Sequence, residues 1–154
     1  MGTRSTIALE FADGTVEQIY CHWDGYLDHN GKILAEHYSD PFVVRNLIDM
    51  GDLSSLGTQI GHAHPFSPHS SKEDEALYEH AKDQGYCTFY GRDRGEDCPA
   101  KKFKDYEDYV ANHQYEEYEY ILRNVNGKAV WFVADHSDRY LTLAEALEAE
   151  LEAA

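Results

Sequence analysis

Reactive side chains are concentrated between Cys21 and Asp24, at the predicted end of a strand. If the strand continues, His22 and Asp24 project to the same side, because side chains two positions apart share a face of a strand. An imidazole beside a carboxylate suits a metal ligand with its supporting acid, or a general base. A histidine packed in the core beside a turn aspartate is the simpler interpretation, and we favour it.

Three further histidines lie in residues 57–72, a segment rich in glycine, proline and serine. His62 and His64 are one residue apart, so their imidazoles could bind zinc together, with Cys87, Cys98 or His22 completing a tetrahedral site. The spacing matches no zinc module with a defined ligand pattern. The resulting alternative hypothesis is a small metal-dependent enzyme or regulator that uses His22, Asp24, His62, His64 and Cys87, with zinc as the cofactor.

Well-specified motifs of catalysis and nucleotide binding are absent from the sequence. There is no GxSxG, no P-loop, no GxGxxG after a strand and no HExxH. Enzymatic activity therefore has no positive support from motifs, and the leading hypothesis includes neither catalysis nor a cofactor. The mixed charges of residues 92–97 favour salt bridges within the chain over an anion-binding loop.

Residues 104–120 have the most unusual composition of the chain, with six acidic residues, one lysine and five tyrosines. Carboxylates spaced along a helix and a strand can imitate a row of phosphates, and tyrosines supply contact area at low entropic cost. A solvated acidic helix face with its tyrosines in the core is an equally good interpretation. The predicted partner-binding residues are Asp105, Glu107, Asp108, Tyr109, Glu116, Glu117 and Glu119.

The negative charge is spread along the whole chain. The formal net charge is −16, with −6 in residues 1–60, −4 in residues 61–100 and −6 in residues 101–154. Such a field repels phosphate backbones and anionic lipid surfaces, and it attracts basic proteins. The predicted partner is a basic host protein or a nucleic-acid-handling complex, without direct nucleic-acid or membrane binding. Three widely spaced cysteines and no apolar leader favour a cytoplasmic location.

Turn signals and hydrophobic periodicity predict a single α+β domain over residues 1–154. Asp13-Gly14 and Asn126-Gly127 each predict a β-hairpin, and residues 86–90 have the composition of a further strand. Helices are predicted at residues 32–38, from Pro41 to a stop at Gly51, at 72–84, at 104–113 and after Thr142. We expect an antiparallel sheet with helices mainly on one face, and long loops at about residues 57–72 and 91–102.

Several segments carry a resemblance to a known group of proteins. They are Thr3-Arg4-Ser5-Thr6-Ile7, Tyr20-Cys21-His22-Trp23-Asp24-Gly25-Tyr26, Gly51-Asp52-Leu53-Ser54-Ser55-Leu56 and Arg92-Asp93-Arg94-Gly95-Glu96. Together they resemble a group of small uncharacterised acidic proteins of tailed bacteriophages and prophages. The likeness covers most of the first hundred residues. Small acidic phage proteins often inhibit host defence, and anti-CRISPR and antirestriction proteins that mimic DNA are among them.

The leading hypothesis combines the resemblance with the charge. It is a phage or prophage protein in the bacterial host cytoplasm that inhibits a host defence complex, of the anti-CRISPR or antirestriction type. The protein would bind the basic nucleic-acid-handling surface of that complex as a DNA mimic. The metal hypothesis is the alternative, and a third is an assembly module that forms a homodimer through its tyrosine-rich hairpin.

Overall fold

Four strands of six to eight residues form the centre of one sheet. The computed structural model describes residues 2–113, 115–135 and 139–153. The strand β1 (Ser5–Glu10) lies between β2 (Val16–Cys21) and β6 (Tyr118–Val125), and β7 (Lys128–Asp135) follows β6. Two of these contacts, β1 with β2 and β6 with β7, are antiparallel, whereas β1 and β6 are parallel. The prediction of an antiparallel sheet is therefore wrong at its centre, where β1 and β6 are parallel. These two strands are distant in the sequence, so no local turn sets the direction in which they pair.

Four short strands extend the sheet. The strand β3 (Leu53–Ser55) pairs in parallel with the end of β2, and β4 (Thr88–Phe89) pairs antiparallel with β3. At the start of β2 lies β5 (Lys101–Phe103), and β8 (Leu141–Thr142) pairs with β7. The described part of the chain thus has a mixed sheet of eight strands and belongs to the α+β class.

Glycine and asparagine allow the two tight turns of the central strands. Asn126 and Gly127 have φ angles of 53° and 85°, which most side chains disfavour. The Asn124 side chain accepts a hydrogen bond from the amide of Gly127 at 2.9 Å. In the other turn, Gly14 has a φ of 92° and the Asp13 carboxylate accepts from the amide of Thr15 at 2.9 Å.

Side-chain caps determine where several of the helices begin. Asp40 and Ser71 accept hydrogen bonds from the amides of Phe42 and Asp74, at 2.9 and 3.0 Å. A π-helical turn at Leu27–Gly31 precedes the first α-helix. The helices of the described residues are α1 (Lys32–His37), α2 (Pro41–Asp49), α3 (Lys72–Asp83), α4 (Tyr90–Arg94), α5 (Tyr106–Asn112) and α6 (Leu143–Ala153).

Apolar side chains are packed on both faces of the sheet. The larger core lies under α1, α2 and α6 and includes Ile7, Ile19 and Tyr120. The smaller core lies on the opposite face, where Tyr109 of α5 packs against Ala8 and Ile121. The expectation of helices mainly on one face is therefore not confirmed, because β1 and β6 carry apolar residues on both sides.

Two connections adjoin β3 and β4, one after each strand. Residues 56–71 contain neither a helix nor a strand. Residues 91–102, predicted to form a second loop, instead include most of α4 and the start of β5. Among the helices that the structure describes, none is both long and apolar enough to cross a membrane.

Candidate functional site

Asp105 and Asp108, two of the predicted partner-binding residues, stabilise the start of α5. The Asp105 carboxylate accepts a hydrogen bond from the amide of Asp108 at 2.7 Å and caps the helix. Asp108 accepts from the amide of Lys104 at 2.9 Å and from the side chain of Asn112 at 2.8 Å. The Lys104 bond and then the Asn112 bond hold the pKa of Asp108 below its usual range. Both carboxylates therefore have a structural role.

Tyr109 and Glu119, also predicted to contact a partner, are buried on the second face of the sheet. Nε2 of His113 lies 2.8 Å from Oε1 of Glu119, and its Nδ1 lies 2.6 Å from the carbonyl oxygen of Tyr109. The hydroxyl of Tyr140 donates to the same Glu119 oxygen at 3.1 Å. Glu119 and Tyr109 are thus core residues. The prediction placed them on a contact surface, and the structure instead buries both side chains.

Protonation of His113 is favoured by this arrangement, because both ring nitrogens face acceptor oxygens. Burial opposes the charged ring. Burial is the largest single cause, but the hydrogen bond and the charge of Glu119, together with the backbone hydrogen bonds to Tyr109 and Val110, outweigh it, so the pKa of His113 is raised. No role for His113 was predicted from the sequence. Strand alternation does give a signal for its partner, because Glu119 shares its face of β6 with the apolar Ile121.

The remaining predicted contact residues are accessible to solvent. Glu107 is exposed, and Glu116 and Glu117 are partly exposed just before β6. These three side chains form the accessible remainder of the predicted contact set.

A regularly spaced array of carboxylates lies on α3, outside the contact surface predicted from the sequence. Glu75, Glu79 and Asp83 are exposed and follow one another at four-residue intervals, so they share one side of the helix. We call these three residues the α3 row. Successive carboxylates advance by about 6 Å along the axis, given a rise of about 1.5 Å per residue. In the described parts of the chain, no basic side chain lies within 4.0 Å of them.

The C-terminal helix α6 is also acidic. Its four glutamates, at positions 145, 148, 150 and 152, are exposed. Glu145 has a structural role, because its amide donates to the Thr142 hydroxyl at 3.2 Å and its carboxylate accepts from that hydroxyl at 2.7 Å. Glu148, Glu150 and Glu152 remain, and we call them the α6 set.

The two predicted metal-binding residues at the end of β2 have other neighbours. Nδ1 of His22 lies 2.7 Å from the hydroxyl oxygen of Tyr20, and its ring packs edge-on against Trp23 at 4.7 Å between centroids. Asp24 adopts a φ of 57°, and its carbonyl oxygen accepts from the amide of Asn30. His22 and Asp24 thus lie in the connection between β2 and the π-helical turn at Leu27–Gly31.

His62, His64 and Cys87 do not assemble a ligand set either. The ring of His62 packs edge-on against Tyr86, with 5.7 Å between centroids. Both ring nitrogens of His64 face carbonyl oxygens, those of Pro65 at 2.8 Å and Cys87 at 3.0 Å. The thiol of Cys87 is buried, which raises its pKa, and the amide of Gly57 donates to it at 3.2 Å. Across the described residues, no three His, Cys, Asp or Glu side chains are grouped as metal ligands.

Arg92 interacts within the chain. Its guanidinium donates to the carbonyl oxygens of Ile60 and Cys87, both at 2.9 Å, and to the buried carboxylate of Asp93 at 3.0 Å. The Asp93 carboxylate also accepts from the amide of Phe89 at 2.8 Å. The Arg92–Asp93 pair therefore anchors the loop before α3 to β4, and it is not available for an external anion.

Comparison with protein-family models, with curated proteins and with solved structures found no match to this chain. Function is therefore inferred from side-chain geometry and charge.

Proposed function

We propose that the protein is a phage or prophage inhibitor of a bacterial defence complex, of the anti-CRISPR or antirestriction type. It binds the basic, nucleic-acid-handling surface of that complex and excludes the nucleic acid as a DNA mimic. The protein inhibits the complex in the host cytoplasm by occupying this surface, and the inhibition itself requires no catalysis.

The α3 row is the observation that carries this proposal. Its three carboxylates are exposed, regularly spaced and unpaired with any described basic side chain. One DNA strand presents a phosphate about every 3.4 Å along the helix axis. A carboxylate about every 6 Å along α3 therefore matches roughly every second phosphate of one strand.

Solubility alone would not require this spacing. Like charges four residues apart on a helix destabilise it by about 0.2–0.5 kcal/mol per pair, and the α3 row contains two such pairs. Asp83 adds an unfavourable interaction with the negative end of the helix dipole. A basic partner surface removes both penalties when it covers the row.

The overall field favours encounter with such a partner. A net charge of −16 raises the rate of association with a positively charged groove and disfavours competing contacts with nucleic acid. The same argument predicts that binding weakens as the salt concentration rises.

Contacts are assigned first to Glu75, Glu79 and Asp83 of the α3 row. Glu107, Glu116 and Glu117 form a second acidic set, which comes after the α3 row in this assignment. Asp105, Asp108, Tyr109 and Glu119 are left out because each is used within the fold.

The test uses two variants with equal changes in net charge. One replaces the α3 row by amides, Glu75→Gln, Glu79→Gln and Asp83→Asn. The control replaces the α6 set, Glu148→Gln, Glu150→Gln and Glu152→Gln. Each protein is expressed in bacteria that carry one defined restriction or CRISPR system, and phage plating is measured. Tagged protein is then used to capture the complex from those cells at low and high salt.

We expect the unmodified protein to raise plating on at least one defence background and to capture that defence complex in a salt-sensitive way. The α3 variant should lose about 1–3 kcal/mol of binding free energy, roughly 5- to 150-fold in Kd, if each lost pair contributes up to about 1 kcal/mol. The α6 control should retain plating and capture. Equal losses in both variants would contradict the assignment to α3, and no protection on any background would contradict the proposed function.

A further inference from the structure

Lys82 is the half-buried lysine of α3, and its ammonium group faces two hydroxyls. Nζ lies 2.9 Å from Oγ of Ser55 and 2.9 Å from Oγ1 of Thr88. The ring of Tyr78 lies on a third side, with its centroid 5.3 Å from Nζ. The chain has 29 acidic residues, yet no carboxylate in its described parts lies within 4.0 Å of this Nζ.

The surroundings of Lys82 make its neutral amine more accessible than that of a fully exposed lysine. Burial lowers the pKa of Lys82, and the more distant Cys87, Asp93 and Cys21 oppose this effect only in part. A neutral Nζ can accept the proton of the Ser55 hydroxyl that already lies at hydrogen-bond distance.

Hydrogen bonds from other parts of the chain fix residues 54–57, the segment that contains Ser55. Ser55 and Thr88 are register partners on β3 and β4. The carbonyl oxygen of Ser54 accepts from the amide of Trp23 at 3.0 Å, and that of Gly57 accepts from the Tyr38 hydroxyl at 2.8 Å.

Close packing at Gly57 restricts the same segment further. A Cβ at this position would overlap the carbonyl oxygen of Gly85, which lies just after α3. The Ser55 hydroxyl is thus positioned against Lys82 before any ligand binds, as a nucleophile requires.

We infer that Ser55, Lys82 and Thr88 form a serine–lysine catalytic site for acyl transfer from carboxylic esters. Ser55 is the nucleophile, Lys82 is the general base, and Thr88 is a positioning residue that holds Nζ. Neutral or cationic esters are the expected substrates, because the net charge of −16 repels anionic ones. The site is separate from the α3 row and does not depend on the proposed inhibitor function.

The reaction proceeds in two balanced halves. The neutral amine of Lys82 takes the proton from Ser55 Oγ while Oγ bonds to the acyl carbon. The bond from that carbon to the alkoxy oxygen then breaks, and the leaving alkoxide takes the proton from the Lys82 ammonium and departs as the alcohol. Lys82 next takes a proton from water as the water oxygen bonds to the acyl carbon. The bond from that carbon to Ser55 Oγ breaks, and Oγ takes the proton back from the Lys82 ammonium. The products are a carboxylic acid and regenerated Ser55.

The test measures labelling of the purified full chain by a fluorophosphonate probe, with the modified peptide identified by mass spectrometry. Ser55→Ala removes the nucleophile, and Ser54→Ala is the matched control one residue away. Lys82→Arg keeps a positive charge and donors for the hydroxyls of Ser55 and Thr88, but a guanidinium cannot act as a base. Thermal unfolding of every variant checks that it is folded.

We expect labelling at Ser55 in the unmodified protein and in Ser54→Ala, and none in Ser55→Ala. Labelling of Lys82→Arg should be slower by a factor of at least about 100, which is the low end of the contribution of a general base. Hydrolysis of p-nitrophenyl acetate should follow the same order. Absence of labelling at Ser55, or an unchanged rate in Lys82→Arg, overturns the inference. If Lys82→Arg does not fold, Lys82→Met replaces it under the same criteria.

Discussion

His113 donates a hydrogen bond to Glu119 on the second face of the sheet, with 2.8 Å between Nε2 and Oε1 and both side chains almost fully buried. Tyr140 and the carbonyl oxygen of Tyr109 complete the surroundings of the pair. A hydrogen-bonded ionisable pair at this depth is strongly coupled to folding, because removing one partner leaves the other side chain buried without its hydrogen bond.

His113→Ala should therefore destabilise the protein by about 3–5 kcal/mol, as expected when one partner of a buried pair is removed. The free energy of unfolding in urea measures this loss. Glu117→Gln is the control, because Glu117 lies two residues from Glu119 and is partly exposed. A loss below about 1 kcal/mol, the value of an exposed pair, would contradict the role of the pair.

The same pair predicts a dependence of stability on pH. The pKa of His113 is raised in the folded protein, so folding favours the protonated ring. The stabilisation from the pair is fully present below the ordinary histidine pKa and is lost as the pH rises through the raised value. Urea titrations should show the gap between the protein and His113→Ala narrowing with rising pH. A gap that widens with pH would be inconsistent with a raised pKa.

The α3 row should reduce stability, and this can be measured without a partner. Glu79→Gln removes both like-charge pairs of the row, so it should raise the free energy of unfolding by about 0.4–1 kcal/mol at low salt. Glu73→Gln, in the first turn of the same helix, should lower it by about 0.3–1 kcal/mol, because a negative charge there interacts favourably with the helix dipole.

Both effects should fade at about 1 M salt, where the Debye length is about 3 Å. Unfolding in urea at two salt concentrations gives the comparison. If Glu79→Gln is destabilising, the row interacts favourably within the fold, and its interpretation as an uncompensated contact surface fails.

Asp105 should be replaceable without loss of binding. Asparagine caps helices as well as aspartate does, so Asp105→Asn should leave both stability and capture of the defence complex unchanged. Asp105→Ala should cost about 1 kcal/mol, because the amide of Asp108 loses its acceptor. Weaker capture by Asp105→Asn, at unchanged stability, would show that the charge contacts the partner.

Local sequence signals predict many of the helices and turns of the fold, but they predict few of the candidate site residues. Asp40 and Thr142 are caps that a single segment reveals, and α2 and α6 follow them. The parallel contact of β1 with β6 and the position of α5 on the second face depend on contacts between distant segments. No periodicity within one segment contains that information.

The candidate sites show the same division. Composition drew attention to residues 104–120, but it could not distinguish a capping or buried carboxylate from a free one, as Asp105 and Glu119 demonstrate. Ser55 and Lys82 are 27 residues apart, so only the fold brings their side chains together. The four-residue spacing of the α3 row is visible in the sequence. Only the structure shows that no described basic side chain lies close to these carboxylates.

Displacement of DNA from the captured defence complex tests the central claim most directly. Fluorescence anisotropy of a labelled duplex bound to that complex is measured as the protein is added. We predict full displacement by the unmodified protein and by the α6 control, and displacement by the α3 variant only at roughly 5- to 150-fold higher concentration. Binding of the protein without loss of the duplex would contradict mimicry, and equal displacement by the α3 variant would contradict the role of Glu75, Glu79 and Asp83.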